Sequence, residues 1–79
     1  MNTNYYLSMI KQIDQLARMQ ATGTPDQLAN KLHISKRTLH NYISELKNIG
    51  LPITYSRDLQ SYIYTKEGMF VVEFMEVEA

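Results

Sequence analysis

Only two or three residues separate two helical hydrophobic patterns in TPDQLANKLHISKRTLHNYISELKNIGLP, residues 24–52, and that spacing restricts the folds open to the chain. Thr24 is a good N-cap, Pro25 suits a first helical position because its missing N–H needs no partner there, and Gln27 stands where a capping box places it. Leu28, Ala29 and Leu32 then form the apolar stripe of a short helix, about 25–33. Ser35 caps the next helix, about 35–49, whose inward face is Leu39, Tyr42, Ile43, Leu46 and Ile49. Its end is marked by Gly50, which enters the left-handed region freely, by Leu51, which can fold back on Leu46, and by Pro52, which cannot continue a helix. Upstream, Tyr6, Met9, Ile10, Ile13, Leu16 and Ala17 repeat at steps of three and four, predicting a first helix over about 4–21. Asn2, Thr3 or Asn4 can cap it and Gly23 is the expected stop.

After Pro52 the apolar period changes from near 3.6 to 2. ITYSRDLQSYIYT is rich in β-branched and aromatic residues and reads as strands over about 53–57 and 61–66. Its RDLQ link lacks an Asn-Gly or Asp-Gly turn, so a looser hairpin tip is expected. MFVVEFMEV offers a further strand over about 69–77. The fold class expected is α+β: a three-helix bundle with a helix-turn-helix, followed by a two- or three-stranded antiparallel wing, in a single domain over 1–79. In a helix-turn-helix the second helix of the pair can enter a DNA major groove.

TGTPDQLANKLHISKRTLHNYISELKNIGLPITYSRDLQSYIYT resembles the winged helix-turn-helix domains at the N-terminus of DeoR-type and biotin-repressor-type transcription regulators. Thr24-Pro25, Leu28-Ala29, Leu32, Ile34-Ser35, Arg37-Thr38-Leu39, Ile43, Leu46, Gly50-Leu51-Pro52-Ile53, Tyr55 and a tyrosine-rich second wing strand carry the likeness, over roughly residues 5–66. The resemblance implies a DNA-binding domain whose third helix reads the major groove while the wing touches backbone or minor groove. The wing tip, RDLQ, is less basic than is usual for those families.

Charge bears on the same question. The 79 residues hold eight Lys and Arg and eight Asp and Glu, for no formal net charge. The charge is nevertheless segregated: residues 31–66 contain six cations against two acids, and residues 67–79 contain four acids and no cation. On the third helix, Lys36, Arg37, His40, Asn41 and Ser44 stand away from the apolar stripe as candidate base contacts. Arg37 has the bidentate fork for guanine O6 and N7, and Asn41 the donor and acceptor for adenine N6 and N7. Thr24, Gln27, Ser35, Thr38 and Arg57 are candidate backbone contacts, through hydroxyl, amide or guanidinium groups suited to phosphate oxygens. Against these stands the plain reading of a capped, solvated helix face. Tyr42, Tyr55, Tyr62 and Tyr64 could stack on single-stranded bases, but in so small a chain they read as core.

No cysteine is present, and His33 and His40 lack a third ligand at metal spacing, so no cofactor or metal is expected. No nucleophile motif, glycine-rich phosphate loop or HExxH occurs, and no small-molecule substrate or enzymatic activity is expected. No stretch approaches a membrane span, which favours a cytoplasmic protein with no membrane partner. The expected function is sequence-specific binding of double-stranded DNA in transcription regulation. The competing expectation is a protein-interaction module on the same fold. The first helix and the apolar C-terminal strand are the two places offered for a homodimer contact.

Overall fold

The structure, a computed structural model, describes residues 3–71. Its elements are α1 (Thr3–Arg18), α2 (Pro25–Leu32), α3 (Lys36–Asn48), β1 (Ile53–Ser56) and β2 (Ser61–Tyr64). Three helices followed by a two-stranded antiparallel sheet make a winged helix-turn-helix.

The helices end by one device used three times. At the end of α2, His33 adopts a left-handed conformation (φ 58°), its N–H donates to the Asn30 carbonyl, and the Ile34 N–H donates to the Ala29 carbonyl. These paired bonds satisfy carbonyls that the helix end would otherwise orphan. Gly50 and Leu51 repeat the pattern at the end of α3, donating to Lys47 and Leu46. At the end of α1 the left-handed residue is Gln20 (φ 56°), not Gly23, so that helix stops earlier than its glycine suggests. Gly23 serves a different purpose. It also has positive φ, and a Cβ there would stand 2.6 Å from Gln27 Oε1. The glycine therefore makes room for the side chain that caps α2.

Met9, Ile10, Ile13 and Ala17 of α1 meet Leu28, Ala29 and Leu32 of α2, Leu39, Tyr42, Ile43 and Leu46 of α3, and Ile53 and Tyr62 of the sheet in one core. Tyr6, Tyr55 and Tyr64 pack against it, half-buried, so the wing tyrosines and Tyr42 belong to the core rather than to a stacking platform. Ile49, expected to face inward, is 60% exposed. Asn48 is the last residue of α3, and Ile49 caps the helix outside the buried stripe.

β1 and β2 pair with Ile53 opposite Tyr64 and Ser56 opposite Ser61, and Arg57–Gln60 form the four-residue tip. Thr65 extends the ladder by one bond, donating its N–H to the Pro52 carbonyl at 2.8 Å. Residues 69–71, expected to begin a third strand, are not in a strand; residues 72–77 of that expectation lie outside the described residues.

Polar groups fix the wing to α1 and to the loop after it. The Tyr62 N–H donates to Thr22 Oγ1 (2.7 Å), and the Thr22 N–H donates to Ser61 Oγ (3.1 Å), with Thr22 and Ser61 both fully buried. Thr22 thereby occupies part of the β2 edge that a further strand would otherwise cover. Asp14, also buried, accepts from the Tyr64 hydroxyl, from the Phe70 N–H (2.8 Å) and from Arg18 Nε (3.0 Å). Burial, and then the hydrogen bond to Asp14, push the Tyr64 phenol well above its ordinary pKa. Among the described residues no buried side-chain nitrogen or oxygen lacks a partner.

Candidate nucleic-acid interface

The turn between α2 and α3 consists of three residues, and it sets what α3 shows to solvent. His33 reverses the chain, Ile34 packs half-buried against the core, and Ser35 opens the next helix. Ser35 Oγ accepts the Thr38 N–H at 3.0 Å. The four apolar residues of α3, Leu39, Tyr42, Ile43 and Leu46, are all buried. At about 100° per residue they cover one side of the helix. Lys36, Arg37, His40, Asn41 and Ser44 are all exposed and fall on a single arc of about 140° facing away from it. Lys47 and Asn48, also exposed, fall within the same arc and extend it towards the helix end. Asn48 carries no charge and stands next to the helix stop, so the sequence singled it out for nothing; only its angular position recommends it.

The side chains of Arg37, His40, Asn41 and Ser44 have no hydrogen-bond or ion-pair partner among the described residues. Lys36 differs: its Nζ lies 3.5 Å from Asp26 Oδ1, in the first turn of α2. Both groups are largely exposed, so this is a solvated pair of small energetic weight. The acid of α3, Glu45, is drawn off the arc. Its carboxylate accepts from the Tyr6 hydroxyl at 2.9 Å, a bond that also raises the Tyr6 pKa. The arc itself therefore carries Lys36, Arg37 and Lys47 and no acid.

The candidate backbone contacts divide into occupied and open groups. Thr24 and Gln27 cap each other: the Thr24 N–H donates to Gln27 Oε1 (2.8 Å) and the Gln27 N–H to Thr24 Oγ1 (3.3 Å). The hydroxyls of Ser35 and Thr38 are hydrogen-bonded to each other at 2.9 Å. Each of these four groups first serves its helix terminus, and a phosphate would share them. Lys31 holds the Ala21 and Thr22 carbonyls of the α1–α2 loop. Arg57 is exposed at the wing tip, beside an equally exposed Asp58, and far along the chain from the α3 arc.

A helix-turn-helix is also what comparison with known proteins finds. The HTH domain family matches residues 10–59, from the middle of α1 through the wing tip. The chain belongs to the HTH domain family. No curated protein and no solved structure matches it. Membership in this HTH family supports DNA as a partner and transcription regulation as the general role. The family match contains every candidate contact residue, because it runs past both Thr24 and Arg57. Among the described residues no helix is long and apolar enough to cross a membrane, and no cluster of three or more His, Cys, Asp or Glu could hold a metal ion.

Proposed function

We propose that this HTH domain protein binds double-stranded DNA sequence-specifically as a small transcription regulator of the DeoR or biotin-repressor type, acting in the cytoplasm as a homodimer. The observation that carries the reading is the exposed, internally unpartnered set Arg37, His40, Asn41 and Ser44 on the outer arc of α3. A helix about 20 Å long (1.5 Å per residue) with its apolar side buried can lie in a major groove and present that arc to base edges. Arg37 matches guanine and Asn41 matches adenine, while Lys36 and Lys47 neutralise flanking phosphates. The start of α2, with Thr24 and Gln27, and the start of α3, with Ser35 and Thr38, approach the backbone; Arg57 reaches it from the wing.

The test is a fluorescence-anisotropy titration with a mixed-sequence duplex at two salt concentrations. Binding is expected to weaken steeply with salt, because each neutralised phosphate releases counterion. If low-salt binding is undetectable, or unchanged when Lys36→Ala and Arg37→Ala are combined, the DNA reading fails. The runner-up, a protein-interaction module on the same scaffold, then takes its place; the zero formal net charge is the observation on its side.

A further inference from the structure

Of the large hydrophobic side chains exposed among the described residues, Ile49, Met69 and Val71 gather at one place, although twenty residues separate the first from the second. They line a groove of about 500 Å³ between the end of α3 and the segment that follows β2, with Leu51 and Phe70 at its floor. Their exposures of 60, 58 and 59% match no requirement of the core, which closes beneath them. The segment is held in place: Phe70 donates its N–H to the buried Asp14, and Leu51 is fixed by its bond to Leu46. An apolar patch on a secured backbone is the usual form of a protein contact, not of a loose end.

The charges on its rim indicate the occupant. Lys66 and Glu67 line the groove side by side, and neither is in an ion pair among the described residues. In an interface with two-fold symmetry, residue i of one copy meets residue j of the other and the reverse also holds. Adjacent opposite charges beside an apolar centre satisfy that condition, since each lysine can face the other copy's glutamate. We propose that this face, centred on Ile49, Met69 and Val71 and bordered by Lys66 and Glu67, is the contact through which two copies of the chain associate. The proposal rests on the homodimer reading above and replaces α1 as the contact surface. It lies at the opposite end of α3 from Lys36, about 20 Å along the helix axis, and adjoins the candidate DNA arc only at Lys47 and Asn48.

The experiment is sedimentation equilibrium of the full chain without DNA, so that loss of association and loss of DNA binding are read separately. The wild-type mass is expected to rise with concentration from 9.2 kDa towards twice that value. Ile49→Lys and Met69→Lys should each raise the dimer dissociation constant about tenfold or more, with thermal unfolding midpoints showing that both variants stay folded. Lys66→Glu should weaken association, and combining it with Glu67→Lys should restore it. Met19→Lys, at the exposed residue just after α1, should leave it unchanged. A wild-type chain that stays at 9.2 kDa throughout overturns the proposal. So does a dimer that ignores Ile49→Lys and Met69→Lys, one that Met19→Lys dissolves, or a charge swap that rescues nothing.

Discussion

The α1–β2 side of the molecule and the outer arc of α3 use polar side chains in opposite ways. On the first, Asp14 is joined to Tyr64, the Phe70 amide and Arg18, and Thr22 to Ser61 and the Tyr62 amide, all within the protein. On the second, Arg37, His40, Asn41 and Ser44 have no such partner. Polar groups satisfied internally add specificity to the fold and are costly to disturb; groups left to water can be exchanged with little effect on folding but are available to a ligand. Residue type does not separate the two. Serine, arginine and neighbouring polar residues occur on both sides, and only the partner differs.

This contrast is open to attack at its strongest point first. Asp14→Ala leaves the Tyr64 hydroxyl and the Phe70 amide without their acceptor, and we expect a loss of about 3 kcal/mol in folding stability, measured by urea unfolding. A loss below about 0.5 kcal/mol would mean that the buried carboxylate is not a structural link. Arg37→Ala should do the reverse: a change in stability within about 0.5 kcal/mol, with a loss of about 1–3 kcal/mol in binding to a preferred duplex and relaxed preference at one base position. Competition titrations against single-base variants of that duplex would detect it, and an unfolding penalty without a binding effect would place Arg37 on the wrong side of the comparison.

Alkaline titration gives a smaller effect. The Tyr62 and Tyr64 phenols have folded-state pKa values above the ordinary tyrosine value, Tyr62 through burial and Tyr64 through burial and its Asp14 bond. The folded state then binds more protons than the unfolded state once pH exceeds about 10. Stability from these groups is intact below that pH and declines as pH rises further. Unfolding midpoints between pH 9 and 11.5 should fall, and fall less in Tyr64→Phe; equal slopes would show that the phenol is not the titrating group. The smallest effect expected is a gain. His33→Gly removes the left-handed strain of a residue with a Cβ and should stabilise by about 0.5–1 kcal/mol, visible as a raised melting temperature with DNA affinity unaltered.

Local signals made the helix-turn-helix legible. Thr24, Gln27 and Ser35 cap as their spacing suggests, and the Gly50-Leu51-Pro52 stop holds α3, because capping and termination involve residues within a few positions of each other. The candidate arc followed from helical periodicity, which also places Lys47 and Asn48 on it. What escaped the sequence is non-local. Asp14 looks like an exposed helical acid until Tyr64, fifty residues later, reaches it. Thr22 and Ser61 look like loop and strand polar residues, 39 positions apart, until both are buried. Gln20 took the left-handed position expected of Gly23 because helix termination depends on where packing ends, and the glycine is needed three residues further on, beside the Gln27 side chain. Ile49 fitted the apolar period but fell just after the last turn that the core covers.

Thr22 has a further consequence, for the order in which the molecule assembles. Its bonds to Ser61 and Tyr62 can form only after the chain between them has closed a loop of nearly forty residues. The α2–α3 pair, by contrast, closes across a three-residue turn. Closing the longer loop carries the larger entropic penalty and yields its hydrogen bonds last. We therefore expect the helix pair to be structured in the folding transition state and the wing to dock afterwards. Thr22→Val should accelerate unfolding while scarcely slowing folding; a folding rate that drops in proportion to the lost stability would put the wing in the nucleus instead.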